Sequence, residues 1–351
     1  MGARNNFMDQ HRASTRRDAD DAAFMRRAVD VARTARLRAR PNPWVGAVLV
    51  SADGRVFEGA TSPPGGRHAE IVAMDEARAA GADTRGATLY STLEPCSHQG
   101  RTPPCTGAII SAGIGRVVVG ITDPDRNVSG AGITALRGAG VEVTTGVLRE
   151  DITEQLLPYL RHRSSGRPFV VLKMAVTLDG RTVAPAGERW ITGETARRRV
   201  HAMRAESDAV VVGSGTVVAD DPQLTVRDAE GPSPRRVVLS RRGIDPSAKV
   251  HPCTVWDQGI PELLETLGAE GVLQVLVEGG PAVAGAFHEA GLVDRYVFHV
   301  APVVSGDTSA PPVFSSPTVS GTLAELSLVG TAVLGDDIEL ILQPPKKEEA
   351  A

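Results

Sequence analysis

Aromatic residues make up only 4% of the 351-residue chain, and its 38 lysines and arginines fall short of its 42 aspartates and glutamates. Single-stranded nucleic acid is held on aromatic platforms in a basic groove, so a nucleic-acid reader is disfavoured. Cysteine is equally sparse: three thiols cannot build the disulfide framework of a secreted domain, which points to a reducing compartment. No apolar run approaches the roughly 18 residues of a membrane span. The basic N-terminal stretch has no apolar segment behind it, so no signal peptide and no membrane partner are expected. A cytoplasmic location follows as the expectation. A complete Gly-x-Gly-x-x-Gly fingerprint is also missing, which argues against a Rossmann dinucleotide fold, and no internal repeat is seen.

What is present describes an ordinary globular protein. Hydrophobic residues make up 42%, charged residues 23%, and the net charge is -4. A prior of ~150 residues per domain suggests two domains.

The most informative stretch runs from His68-Ala69-Glu70 to Thr92-Leu93-Glu94-Pro95-Cys96 and on to Pro104-Cys105. One imidazole and two thiols suit zinc, and three protein ligands leave a fourth position for water. Glu70 then has a separate task, because a water activated on the metal needs a carboxylate to move its proton to the substrate and the leaving amine. The pattern is that of zinc deaminases, except that eight residues, Ser97 to Pro104, separate the thiols where Cys-x-x-Cys is usual. Taken singly, His68, Cys96 and Cys105 read as a surface histidine and ordinary thiols. Together with Pro95 and Glu70 they read as a catalytic metal centre.

Along the chain, residues 1–17 are polar and arginine-rich and read as a disordered tail. A helix follows from Asp18 toward Pro41. Pro41 and Pro43 hold Asn42 extended, suited to hydrogen bonding a heterocycle, although alone it reads as a turn residue. Val45–Ser51 and Arg55–Ala60 read as a hairpin about Asp53-Gly54. A helix over 68–80, strands over 87–93, 116–122 and 141–147, and helices near 104 and over 133–139 complete an α/β sandwich. After a helix over 151–163, the stretch 164–168 reads as a linker and 346–351 as a polar tail. Between them, 169–345 forms a second α/β unit with strands near 169, 209, 236, 273 and 295 and a helix over 193–205. In that unit Val212-Gly213-Ser214-Gly215-Thr216 and Val277-Glu278-Gly279-Gly280-Pro281 follow strands, where backbone N–H groups at a helix start can meet a phosphate. Tight turns without a ligand explain them equally well.

These motifs resemble the bifunctional riboflavin-biosynthesis deaminase/reductase family over residues 20–343. Pro41-Asn42-Pro43, His68-Ala69-Glu70 and Thr92 to Cys105 resemble the deaminase motifs. Leu172-Lys173-Met174-Ala175, Leu178-Asp179-Gly180, Trp190-Ile191-Thr192-Gly193, Gly213 to Thr216, Asp220-Asp221-Pro222 and Glu278-Gly279-Gly280 resemble those of the reductase. The resemblance implies a cytidine-deaminase-like α/β/α sandwich followed by a dihydrofolate-reductase-like α/β domain. It implies zinc and NADPH as cofactors, a pyrimidine ribose phosphate as substrate and a homo-oligomer. Zinc-dependent loss of the ring 2-amino group would precede NADPH-dependent reduction of the ribosyl group to ribityl.

Carried over by motif, the resemblance gives Glu70 as the deaminase acid/base, His68, Cys96 and Cys105 as metal ligands, and Asn42, His98 and Arg101 on the substrate, with Arg101 on its phosphate. For NADPH it gives Ala175, Trp190, Thr216, Asp220, Ser240 near the 2'-phosphate, and the loop Gly280-Pro281-Ala282-Val283-Ala284-Gly285-Ala286. Arg204, Leu224, Arg227 and Glu278 fall on the reductase substrate, and Lys173 near the reacting sugar. The sequence departs from the family at Asp125-Arg126-Asn127, at Ala131, where a basic residue is common, and in the loop Pro185–Arg189, which lacks a serine.

Two other readings remain open at this level. One is a deaminase of a free base, nucleoside or nucleic acid with a binding module attached. The other is a zinc-stabilised interaction protein, for which His98 would be the fourth ligand.

Overall fold

The computed structural model describes residues 2–99, 103–125, 129–185, 187–315 and 325–345, with side chains from residue 15 onward. The chain divides into two compact units, Met1–Ser164 and Ser165–Ala351.

The first unit opens on α1 (Gly2–Arg33), whose Met25, Ala28, Val29 and Ala32 recur at helical spacing and are buried. Its backbone is helical from Gly2, through most of the stretch 1–17 that the sequence suggests as a disordered tail. Residues 2–17 contain no proline and only one glycine, and nothing in them interrupts a helix. Then come β1 (Gly46–Val50), β2 (Val56–Ala60), α2 (Ala69–Ala79), β3 (Thr88–Leu93), α3 (Cys105–Ser111), β4 (Arg116–Ile121), α4 (Ala131–Gly138), β5 (Glu142–Thr145) and α5 (Arg149–Ser165). The sheet order is β2-β1-β3-β4-β5, antiparallel at the hairpin and at β1/β3, then parallel.

Two glycines set the helices that matter for chemistry. A Cβ at Gly59 would lie 2.1 Å from the Ala69 carbonyl oxygen, so only glycine lets the start of α2 close on β2. A Cβ at Gly120 would lie 2.2 Å from Ile152 Cδ1, so α5 sits directly on β4. Asp21 of α1 is buried but paired, its carboxylate meeting both Nη atoms of Arg116 at 2.6 Å, which ties α1 to β4. Ser164 and Ser165 close the last turn of α5, so the expected linker begins after them.

The second unit contains β6 (Phe169–Thr177), α6 (Glu194–Ala205), β7 (Ala209–Gly213), α7 (Ser214–Asp220), β8 (Arg235–Leu239), β9 (Thr254–Trp256), α8 (Ile260–Ala269), β10 (Gln274–Val277), α9 (Pro281–Glu289), β11 (Arg295–Ala301), β12 (Ser327–Leu334) and β13 (Asp337–Gln343). The eight strands run β12-β13-β11-β6-β10-β7-β8-β9. The central strands are parallel and read as nearly continuous apolar runs because both faces are covered. At one edge the β12/β13 hairpin is antiparallel, and there Leu328, Val333 and Ile338 are 62%, 78% and 47% exposed. The segment Gly280–Ala286, expected as a loop, is instead the cap and first turns of α9, with Pro281 at the helix start.

Candidate functional site

His68 caps α2, Cys105 is the first residue of α3, and Cys96 hangs from the segment after β3. His68 Nδ1 lies 3.6 Å from Cys96 Sγ and 3.3 Å from Cys105 Sγ. All three donor atoms fall within 4.8 Å of one another, and among the described residues no fourth His, Cys, Asp or Glu joins them. His98 is thus outside the cluster, which removes the four-ligand reading, and the soft donor set fits a zinc ion with one coordination position left over. The hydrogen bond from Cys105 holds the Cys96 thiol below the usual thiol range, and Cys105 is pushed up in return. Glu70 is 4% exposed in the first turn of α2, and burial pushes its carboxyl up to about 7 while His68 pulls the other way.

Around this cluster lies a cavity of about 270 Å³ lined by Asn42, Thr61, His98, Asp123, Asp125, Tyr159 and Arg163 among others. One wall is pinned by Glu94, whose carboxylate accepts backbone N–H groups from Asp123 (3.2 Å), Gly130 (2.9 Å), Gly132 (2.9 Å) and Ile133 (3.2 Å). Because Glu94 directly precedes Pro95-Cys96, the metal loop and that wall move as one piece. Asn42 and His98 line the cavity as expected from sequence. Arg101 lies outside the described residues, as do Arg126 and Asn127. Asp123, Tyr159 and Arg163 were missed. Asp123 had a usable signal, since it follows the end of a parallel strand, where α/β ligands gather.

In the second unit a cavity of about 350 Å³ is lined by Lys173 and Ala175 of β6, Trp190, Arg197 and Arg204 of α6, Asp220, Arg227 and Glu278. Arg204 meets Glu278 fork to fork at 2.7 and 2.8 Å. Burial holds the Lys173 ammonium below its usual range, against the opposing pull of Glu278. Trp190 is half exposed, with the guanidinium carbons of Arg189 and Arg197 at 4.9 and 5.5 Å from its ring. A second cavity of about 670 Å³, lined by Ser214, Val218, Ser240, Arg241 and Arg242, lies on α7.

The starts of α7 and α9 lie side by side. A Cβ at Gly279 would be 2.5 Å from Val283, and one at Gly280 would be 3.7 Å from Thr216 Oγ1. Two neighbouring helix N-termini capped by Gly213 and Gly280 fit the pyrophosphate of a dinucleotide, and Arg241 and Arg242 fit a further phosphate.

Comparison with known proteins bears on both units. Residues 18–121 match the cytidine and deoxycytidylate deaminase zinc-binding region, and residues 168–340 match the RibD C-terminal domain. The riboflavin biosynthesis protein RibD of Mycobacterium tuberculosis is 42% identical over 280 residues, 76% of this chain and 80% of its own length. The chain belongs to the RibD family. The Escherichia coli RibD protein is 37% identical, covering 82% of this chain and 89% of its own. A solved structure of Acinetobacter baumannii RibD superposes with a TM-score of 0.86 at 36% identity, over 94% of this chain and all of that one. The Thermotoga maritima diaminohydroxyphosphoribosylaminopyrimidine deaminase/5-amino-6-(5-phosphoribosylamino)uracil reductase gives 0.83 at 34% identity, over 93% and 99%. The protein is a bifunctional deaminase and reductase of riboflavin biosynthesis, with zinc serving the first activity and NADPH the second.

The RibD fold sorts the residues carried over from the family. Lys173, Ala175, Trp190, Arg204, Asp220, Arg227 and Glu278 share one cavity, while Ser240 lines the other. The Ser240 hydroxyl already donates to the Arg242 carbonyl at 2.6 Å and accepts its N–H at 3.1 Å, so it shapes the turn that presents the two arginines. Leu224 is 3% exposed in an apolar cluster with Val210, Val212 and Val238, so its side chain serves the core rather than the cavity. Ala284 is fully buried and Gly285 is also covered, so of the segment 280–286 only Gly280–Val283 and Ala286 leave surface open.

Proposed function

We propose that the two units act in turn on one phosphoribosyl pyrimidine. The first would deaminate the diaminohydroxyphosphoribosylaminopyrimidine, and the second would reduce 5-amino-6-(5-phosphoribosylamino)uracil, the two compounds named for the Thermotoga maritima protein. The observation that carries this reading is the buried Glu70 carboxylate, two residues from His68 and beside a three-donor cluster with an open position.

His68, Cys96 and Cys105 hold the zinc, which when bound brings water to nucleophilic strength near neutral pH. Glu70 takes the proton of the attacking water and returns it to the departing amine, a role its raised pKa suits. Asn42 and His98 orient the heterocycle, and Arg101 takes the phosphate. In the second unit, bound NADPH supplies the hydride. Thr216 and the start of α9 would hold its pyrophosphate, Ser240 with its turn would meet the 2'-phosphate, and Ala175, Trp190 and Asp220 would border the rest of the cofactor. Arg227, with the Arg204–Glu278 pair, holds the sugar phosphate, and Lys173 faces the reacting sugar.

A homo-oligomer is supported by the open edge at β12. Val333 and Ile338 are cross-strand neighbours and Leu328 lies further along the same hairpin, so an exposed apolar strip ends at β12, the edge strand of the sheet among the described residues. A cytoplasmic location suits thiolate ligands that must stay reduced.

Incubation with the diaminopyrimidine ribose phosphate, with and without NADPH, tests the order of steps. Ammonia release without NADPH, followed by cofactor oxidation once it is added, is the expected result. Cofactor oxidation with no ammonia would overturn the order. Light scattering reads the oligomer, and a monomer at micromolar concentration would remove the apolar strip as an interface.

A further inference from the structure

We propose that Arg163, in the last turn of α5, binds the phosphate of the deaminase substrate at the mouth of the cavity. The inference rests on the deaminase reading above and gives that site a second anion contact, one that no sequence motif announces.

The cavity has a direction. Glu70 at its inner end is 4% exposed, while the side chains of Arg163 and Asp125 are 32% and 25% exposed. A substrate whose amine reaches Glu70 therefore directs its ribose phosphate outward, to a rim that carries Arg163 as well as the exposed His98. Charge points the same way. The lining residues include four carboxylates, Glu70, Glu94, Asp123 and Asp125, and among the described lining residues Arg163 carries the only guanidinium. A phosphate at the outer part of the cavity, beside Asp123 and Asp125, is repelled by them unless a cation meets it.

Arg163 is held ready for that contact. Its guanidinium carbon lies 5.1 Å from the centre of the Tyr159 ring, one helical turn earlier. That ring is itself fixed, because the Tyr159 hydroxyl donates to Asp123 Oδ1 and Oδ2 at 3.2 and 3.0 Å. The ion pair to Asp125 is 3.7 Å long, beyond direct hydrogen-bond distance, so a phosphate can compete with it. Ile152 and Leu156, buried against the sheet, keep the helix in place beneath these residues. A different account gives Arg163 only a local task, as a cation at a helix C-terminus.

The test measures ammonia release from the phosphoribosyl substrate and from its ribosyl counterpart without the phosphate, for wild type and for Arg163→Ala, Arg163→Gln and Arg163→Lys. Wild type is expected to favour the phosphorylated substrate in kcat/KM. Arg163→Ala and Arg163→Gln are expected to cut that preference by about tenfold or more, mainly through KM. Arg163→Lys keeps most of it. If Arg163→Ala does not fold, Arg163→Gln, whose stem still covers Tyr159, reads the same ratio. An equal loss on both substrates, or a wild type indifferent to the phosphate, overturns the proposal while leaving the deaminase standing. No ammonia from wild type on either substrate removes the deaminase reading and this inference with it.

Discussion

Arg204 and Glu278 face each other fork to fork, with Nε to Oε1 at 2.7 Å and Nη2 to Oε2 at 2.8 Å, and each side chain is 11% exposed. Arg204 also donates to the Thr225 carbonyl at 3.2 Å, so most of its donors are committed within the protein. Burial alone would raise the Glu278 carboxyl, but the Arg204 charge more than offsets it and the group stays below its usual range. The pair is therefore a rigid unit in the cavity wall that it shares with Lys173.

Removing one partner of such a pair leaves an uncompensated buried charge. Arg204→Ala is expected to destabilise by about 3–5 kcal/mol and to depress NADPH oxidation. Chemical denaturation measures the first and cofactor absorbance the second. A loss of stability below ~1 kcal/mol would mean that the pair behaves as a solvated surface bridge.

On the proposed reading Glu70 moves protons and stays off the metal. Glu70→Gln should keep zinc at one ion per chain yet lose deamination by roughly 10²–10⁴. Metal analysis and ammonia release on the same sample decide the matter, and retained ammonia release takes Glu70 out of the mechanism.

The proposal puts Cys96 in the chemistry of the first unit alone. Cys96→Ser should release zinc and abolish deamination, while NADPH oxidation with the already deaminated compound continues. Loss of both activities in a folded variant contradicts two separate sites.

Buried histidines give the protein an acid limit. His299 is fully buried with Nε2 at 3.0 Å from Glu339 Oε2, and burial holds its pKa below the ordinary 6.5 even though Glu339 pulls it up. The unfolded chain takes up that proton near 6.5 while the folded chain remains neutral. The stability involved is present above that value and lost as pH falls below it. His201 shifts in the same direction for the same first cause. Thermal midpoints should fall from about pH 7.5 to about pH 5.5, with a shallower slope in His299→Gln. An identical slope would assign the acid limit to other groups.

How much of this was legible in the sequence varied with how local each feature is. His68, Glu70, Cys96 and Cys105 are held by a helix cap, a first turn and a short loop, so their spacing already encodes their geometry. Tyr159 and Arg163 carry no such signal. They reach the cavity only because Gly120 admits Ile152 and so seats α5 on β4, a contact between residues far apart in the chain. In the second unit Gly280–Ala286 reads as a loop because glycine and proline usually punctuate structure, yet proline at a helix start is favourable. Leu224, with φ of 53°, is a left-handed residue buried by tertiary packing, which periodicity does not register.

Arg227 makes the sharpest test of the reductase cavity because it contrasts with Arg204. It is exposed, and its Nη1 donates to Gln223 Oε1 at 2.9 Å and Thr225 Oγ1 at 3.0 Å, both neutral acceptors. Its backbone N–H is anchored on His201 Nδ1 at 3.1 Å, so the residue lines the cavity from a fixed point while its charge is not cancelled by these partners. A charge-assisted contact to a sugar phosphate is worth ~1.5–3 kcal/mol. Arg227→Ala should therefore weaken reductase substrate binding by about one to two powers of ten, with deamination intact. A merely solvated arginine would be worth less than ~1 kcal/mol. Steady-state reduction of the deaminated compound at varied concentration separates the two, and an unchanged half-saturation value would put Arg227 outside the binding surface.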